Sequence, residues 1–247
     1  MPTYPVTFEA DYVEPRSRVT TFFRLLLVIP HLIVAACWGI AVFVVVVIAW
    51  FALLFTGRWP EAMYDFTASF LRYYTRIHAY LFLLVDPYPP FSGADDASYP
   101  VRLHVGPALP EYNRLKVLLR IFYIIPAYLI VYVMNVVVEL AAIASWLVIV
   151  VTGKQPKGLQ DVIGLCVSYT ARAYALFLLL TETYPPFTDD HARQIGEPTP
   201  PAAPIAPPPA APEAVSTTFE PPATPTPPRP PADEEPPPGP FGPSSGA

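Results

Sequence analysis

The first residue able to do chemistry in an unusual setting is Glu139. It is the sole charged side chain in the run from Ile121 to Val151, IFYIIPAYLIVYVMNVVVELAAIASWLVIVV. A lone carboxylate in apolar surroundings either protonates or finds a cation. Glu139 lies 14 residues before Gly153 (153 − 139), and Arg172 lies 14 after Gly158 (172 − 158). In a helical hairpin both would sit about 21 Å from the turn, at 1.5 Å per residue. The expected network is therefore Glu139 with Arg172, or with Arg76 of the other half, completed by Asn135 one turn away. Such a pair either locks helix register or forms a proton- or ion-binding site, and both readings stay open at this point.

Other reactive residues form no constellation. His31, His78, His104 and His191 have no metal-ligand spacing and read as packing or interfacial residues. Cys37 and Cys166 fall inside apolar helices, where each serves as a small hydrophobe rather than half of a disulfide. No P-loop, HExxH, G-x-S-x-G or glycine fingerprint after a strand occurs. The expectation is no enzyme, no cofactor and no metal.

The elements that must position these residues are mostly apolar. Hydrophobic residues make up 53% and charged ones 14%, with mean hydropathy +0.39. From Leu25 to Phe55 there is no charged side chain at all. About 20 apolar residues suffice to cross a bilayer core. The net charge of −5 belongs to the tail. From Glu197 onward stand six acids and one base, which leaves 14 of each among the first 196 residues. No basic stripe points to nucleic acid.

The chain repeats itself at an offset of 96 (114 − 18). Arg18, Arg24, Pro30, Trp50, Thr56-Gly57, Pro60, Asp65, Tyr73 and Arg76 recur as Arg114, Arg120, Pro126, Trp146, Thr152-Gly153, Pro156, Asp161, Tyr169 and Arg172. Each unit closes on YPPF, at Tyr88 and at Tyr184. Its opening YPV alternates apolar and polar residues like a short strand, so the two openings can pair. A basic amphipathic stretch follows, Ser17 to Val28 in the first copy, with a break or kink expected at Pro30 and Pro126. The long apolar helix then runs from about His31 to Phe55. It stops at TGRWP or TGKQP, a glycine cap followed by proline. The last piece, 62–85 in one copy and 158–180 in the other, carries Arg72 and Arg76 or Arg172. It either spans the bilayer or lies in the interface, and spanning is the favoured reading. Trp50 and Trp146 suit an aromatic belt.

In order, the strings FFRLLLVIPHLIV, VIAWFALLFTGRWP and the arginine-bearing helix ending DPYPPF resemble the bacterial membrane family known as domain of unknown function 4389. The resemblance covers residues 4–91 and 99–187. Copy two departs from it by IPA for IPH, by TGKQP for TGRWP, and by Asn135 and Glu139. It implies an architecture and no activity, so no catalytic residue follows from it.

These readings give an all-α integral membrane protein of two tandem helical hairpins, with four transmembrane helices, short amphipathic helices and a small β pairing. The expected divisions are 1–96, 97–196 and a disordered proline-rich tail, 197–247, whose PPRPP around Arg229 suits an aromatic groove on a partner protein. Counting bases along two hairpins puts both termini on the cytoplasmic side of the cell membrane. The expected role is a non-enzymatic module that binds membrane lipid or a protein partner, with homo-oligomers possible. A small transporter or channel component built on the duplicated core is the alternative.

Overall fold

The computed structural model describes residues 4–12 and 16–186. The tail and its PPRPP segment lie outside the described residues. Eight elements follow in order: β1 (Val6–Ala10), α1 (Arg18–Phe22), α2 (Arg24–Thr56), α3 (Glu61–Leu81), β2 (Val101–Val105), α4 (Arg114–Leu118), α5 (Arg120–Thr152) and α6 (Lys157–Phe177). Each repeat thus contributes one strand, one short helix, one long helix and one helix of 21 residues.

The strands pair as their alternation predicts. β1 and β2 run antiparallel with Phe8 opposite Leu103, and these two residues are equivalent in the repeat. Val6, Phe8, Val101 and Leu103 turn inward. On the other face Arg102 reaches Glu9 at 3.1 Å and Asp11 at 2.9 Å. Hydrogen bonds donated to Asp11 and Glu9 hold the Arg102 guanidinium charged more firmly than usual.

The helix breaks fall earlier than the prolines suggest. Pro30 and Pro126 lie inside α2 and α5, and the chain bends instead at Phe23 (φ −88°, ψ 6°) and Leu119 (φ −83°, ψ 7°). Each proline stands at the seventh position of a 33-residue helix, where it removes one donor without ending the helix. The far ends follow the sequence reading closely. Gly57 (φ 73°) and Gly153 (φ 75°) take the left-handed conformation, and their N–H groups cap Leu53 and Ile149. Pro60 and Pro156 then start α3 and α6.

The expected four membrane spans are corrected to two candidates. Among the described residues only α2 and α5 are long and apolar enough to cross a bilayer. α3 and α6 are largely buried in the protein itself. α3 packs on α2, α6 on α5, and α3 on α6, while β2 covers α3 and β1 covers α6. Their arginines are tolerated because this shell of protein, not lipid, surrounds them.

The two long helices run antiparallel. The Arg16 N–H, just before α1 and so ahead of α2, donates to Gly153 O at the end of α5, and the Tyr112 N–H, just before α4 and so ahead of α5, donates to Gly57 O at the end of α2. α3 and α6 are likewise opposed: Tyr64 near the start of α3 reaches Leu180 O, and Gln160 near the start of α6 reaches Leu84 O. Two repeats related in this way share a pseudo-twofold axis through the sheet centre and the α3–α6 seam.

Candidate functional site

The buried arginines do helix-capping work. The last carbonyls of a helix have no partner within it. Arg24 (3% exposed) lies across the end of α3, donating to Tyr80 O and Val85 O at 2.7 Å and to Asp86 at 2.6 Å. Its guanidinium also stands 4.3 Å from the Tyr80 ring centroid. Arg120 does the same for α6, donating to Leu176 O and Thr181 O. Arg16 adds Leu84 O and the Gln160 side chain, each at 2.8 Å. Sequence reasoning placed Arg24 and Arg120 on an amphipathic stretch and missed this role. Their recurrence at one offset was the available signal.

The proposed polar network does not assemble. Arg76 donates to Ser92 O at 3.1 Å and Ala94 O at 2.7 Å, facing the Tyr99 ring. Arg172 faces the Tyr4 ring at 5.9 Å. Asn135 is half-buried in α5 and Glu139 is exposed. Among the described residues no ion pair involves Glu139. Equal depth brings two side chains together only when both face one interior. In the structure α6 turns Arg172 toward β1, whereas Glu139 looks outward from α5.

Glu139 lines an apolar groove of ≈ 470 Å³, together with Thr21, Arg24, Leu81, Phe82 and Trp146. The Thr21 hydroxyl at this groove is buried with no hydrogen-bond partner among the described residues. Leu83, also in its wall, adopts φ 64°. Copy one has Phe43 where copy two has Glu139.

A second aromatic site uses His31, which is fully buried. Its Nδ1 and the Tyr73 hydroxyl lie 2.8 Å apart, and its ring stacks on Phe91 at 3.9 Å. Tyr88 of the YPPF turn closes the nest at 4.7 Å. YPPF therefore packs onto α2, and the turn is held by contacts that the sequence alone did not assign. The tryptophans expected at an aromatic belt diverge. Trp50 donates to Val117 O at 3.1 Å, whereas Trp146 stacks on Phe22.

No group of three or more histidines, cysteines, aspartates and glutamates is placed to hold a metal among the described residues. The space between α3 and α6, around Tyr74, His78, Thr170 and Tyr174, has no room for water. Outside the helices, burial pushes the Tyr112 hydroxyl up to about 12 and the Tyr99 hydroxyl still higher. Both are held neutral as hydrogen-bond donors, to Leu180 O and Pro87 O respectively.

Arginine caps, glycine stops and the YPPF turn thus recur as one unit. The profile of a family described as Domain of unknown function (DUF4389) matches residues 18–93 and again 114–189. The chain belongs to this family. The two matches bracket α1–α3 and α4–α6, so one family unit is one short helix, one long helix and one buried helix. No curated protein and no solved structure matches the chain.

Proposed function

We propose that this member of the family is a non-enzymatic membrane module, in which two lipid-embedded helices are held by a protein shell that binds a lipid or protein partner. One observation carries the reading. α2 and α5 are each 33 residues long, yet only 11% and 22% of their most apolar windows are covered by the rest of the protein. The core helix of a water-soluble protein would be mostly covered. On α2 the buried positions form a single narrow stripe, including Val28, His31, Ala35, Val42, Ala49 and Leu53. Leu25, Ile33, Ile40, Phe43 and Phe55 are exposed around the remaining circumference. Apolar surface on this scale marks a membrane or protein contact.

The transporter alternative needs a polar path through the duplicated core. The filled seam between α3 and α6 and the outward position of Glu139 favour the module. Fractionation tests the membrane reading: the chain should stay with membranes after an alkaline carbonate wash, and release into the supernatant would contradict it. Purification in native lipid particles separates the two roles. A stoichiometric lipid or protein partner supports the module, and homo-oligomers that conduct solute in vesicles would support the transporter.

A further inference from the structure

The geometry points to an in-plane embedding: α2 and α5 lie along one leaflet instead of crossing the bilayer, with the β1–β2 layer in water. This rests on the membrane reading above and specifies its lipid-facing surface.

Asp86, at the end of α3, binds Arg24 at the start of α2. Tyr112 binds Gly57 at the end of α2. Residues 87–111 therefore run the length of a 33-residue helix, about 50 Å at 1.5 Å per residue. If α2 stood upright in the bilayer, this segment would cross the hydrocarbon beside it. It carries Asp95, Asp96, Arg102 and His104. It also contains β2, whose only partner strand among the described residues is β1. Open sheet edges do not occur in lipid, where no water satisfies their backbone groups. A charged side chain at the bilayer centre costs about 2.5–3.5 kcal/mol even on the mildest scale. An upright bundle would place the exposed pair His104–Asp95 and both acids on Arg102 at that depth.

The faces of α3 agree with the in-plane arrangement. Asp65, Arg72 and Arg76 share one side, and Arg76 reaches the loop that leads into β2. Phe66, Phe70 and Tyr74 lie roughly 140° around the helix, at about 100° per residue. Phe66 and Phe70 pack with Trp38 of α2. Charges thus gather on the sheet side and aromatics on another face.

The two ends of the bundle are also alike. Arg16, Arg18, Arg24, Lys154 and Lys157 cluster at one end, and Arg58, Arg114, Lys116 and Arg120 at the other, five bases against four. An upright bundle would be expected to carry its basic excess at its cytoplasmic end. The dimensions fit as well. A helix with side chains is about 10–12 Å across, and half of a hydrocarbon core of about 30 Å is about 15 Å.

Three single cysteines test this in the full chain carrying Cys37→Ala; the remaining Cys166 is buried. Arg58→Cys and Lys154→Cys mark opposite ends of the bundle, and Ala97→Cys marks the sheet side; all three positions are exposed. A membrane-impermeant maleimide is applied to intact cells and to inverted vesicles. All three cysteines should label in the same compartment. Labelling of positions 58 and 154 from opposite sides would establish an upright bundle and overturn the proposal. Labelling of 97 opposite to both would establish two spanning hairpins and overturn it equally. The alkaline wash keeps the two claims apart. A chain that resists the wash but labels from both sides defeats only the in-plane embedding.

Discussion

The two repeats make the same backbone contacts with different side chains. Arg16 and Tyr112 are equivalent positions, and they reach the equivalent carbonyls Leu84 O and Leu180 O. Tyr64 and Gln160 are equivalent as well, and they donate to those same two carbonyls. Asp86 accepts the Ser17 N–H as Glu182 accepts the Asn113 N–H. Ser17 and Asn113 each cap the short helix that follows. After duplication, then, the unpaired carbonyls at the helix ends stayed fixed while the donors that satisfy them diverged. Buried backbone groups must be paired, but a phenol, an amide or a guanidinium can do the pairing. Exposed side chains on the long helices diverged without such a constraint, as Phe43 and Glu139 show.

Removing the two arginine caps separately should have the largest effect. Arg24→Met leaves Asp86 without its cation and Val85 O without its arginine donor, while Tyr80 O keeps the Leu83 N–H. It should cost about 3–5 kcal/mol, as for breaking a buried pair. Arg120→Met takes the arginine donor from Thr181 O, leaves Leu176 O with the Leu179 N–H and breaks no ion pair among the described residues, so about 1–3 kcal/mol is expected. Thermal unfolding in mild detergent compares them, and equal losses would show that the Asp86 pair adds nothing. The glycine stops should instead behave alike. Gly57→Ala and Gly153→Ala each force a left-handed alanine, at about 1–2 kcal/mol, and the same unfolding assay should give matching shifts.

A smaller effect concerns the residue at which the copies differ most in character. Because Glu139 does not meet Arg172, Glu139→Gln and Arg172→Gln should be additive to within about 0.5 kcal/mol. A coupling above that in a double-mutant cycle would restore the pairing expected from the sequence. The smallest effect lies in the loop before β2. Hydrogen bonds from the Ser98 hydroxyl and amide hold the Asp96 carboxyl below its ordinary 3.8. A lowered folded value means that its contribution is complete above 3.8 and is lost as pH falls through the lower folded value. The stability difference between the native chain and Asp96→Asn should be flat near neutrality and shrink only in acid.

Much of this was legible in the sequence, because it is local. The strand alternation, the glycine stops and the duplication were all visible, since each needs only neighbouring residues or a constant offset. The antiparallel placement of the repeats was not, because it is set by contacts across the pseudo-twofold, such as Arg16 to Gly153 and Tyr112 to Gly57. That one arrangement undoes three expectations together. It turns Arg172 toward the Tyr4 end of the other repeat and away from Glu139, it spreads the bases over both ends, and it encloses α3 and α6 in protein. Pro30 misled for a different reason. Proline disfavours a helix interior locally, yet α2 runs through Pro30 as one helix of 33 residues.

Polarised infrared spectroscopy of the protein in oriented bilayers separates in-plane helices from upright ones. α2, α3, α5 and α6 hold nearly all the helix in the described chain and pack as an antiparallel set. Their amide transition dipoles therefore report the direction of the long helices relative to the membrane. The in-plane account predicts dipoles concentrated in the plane of the bilayer. Dipoles concentrated along the bilayer normal would contradict it.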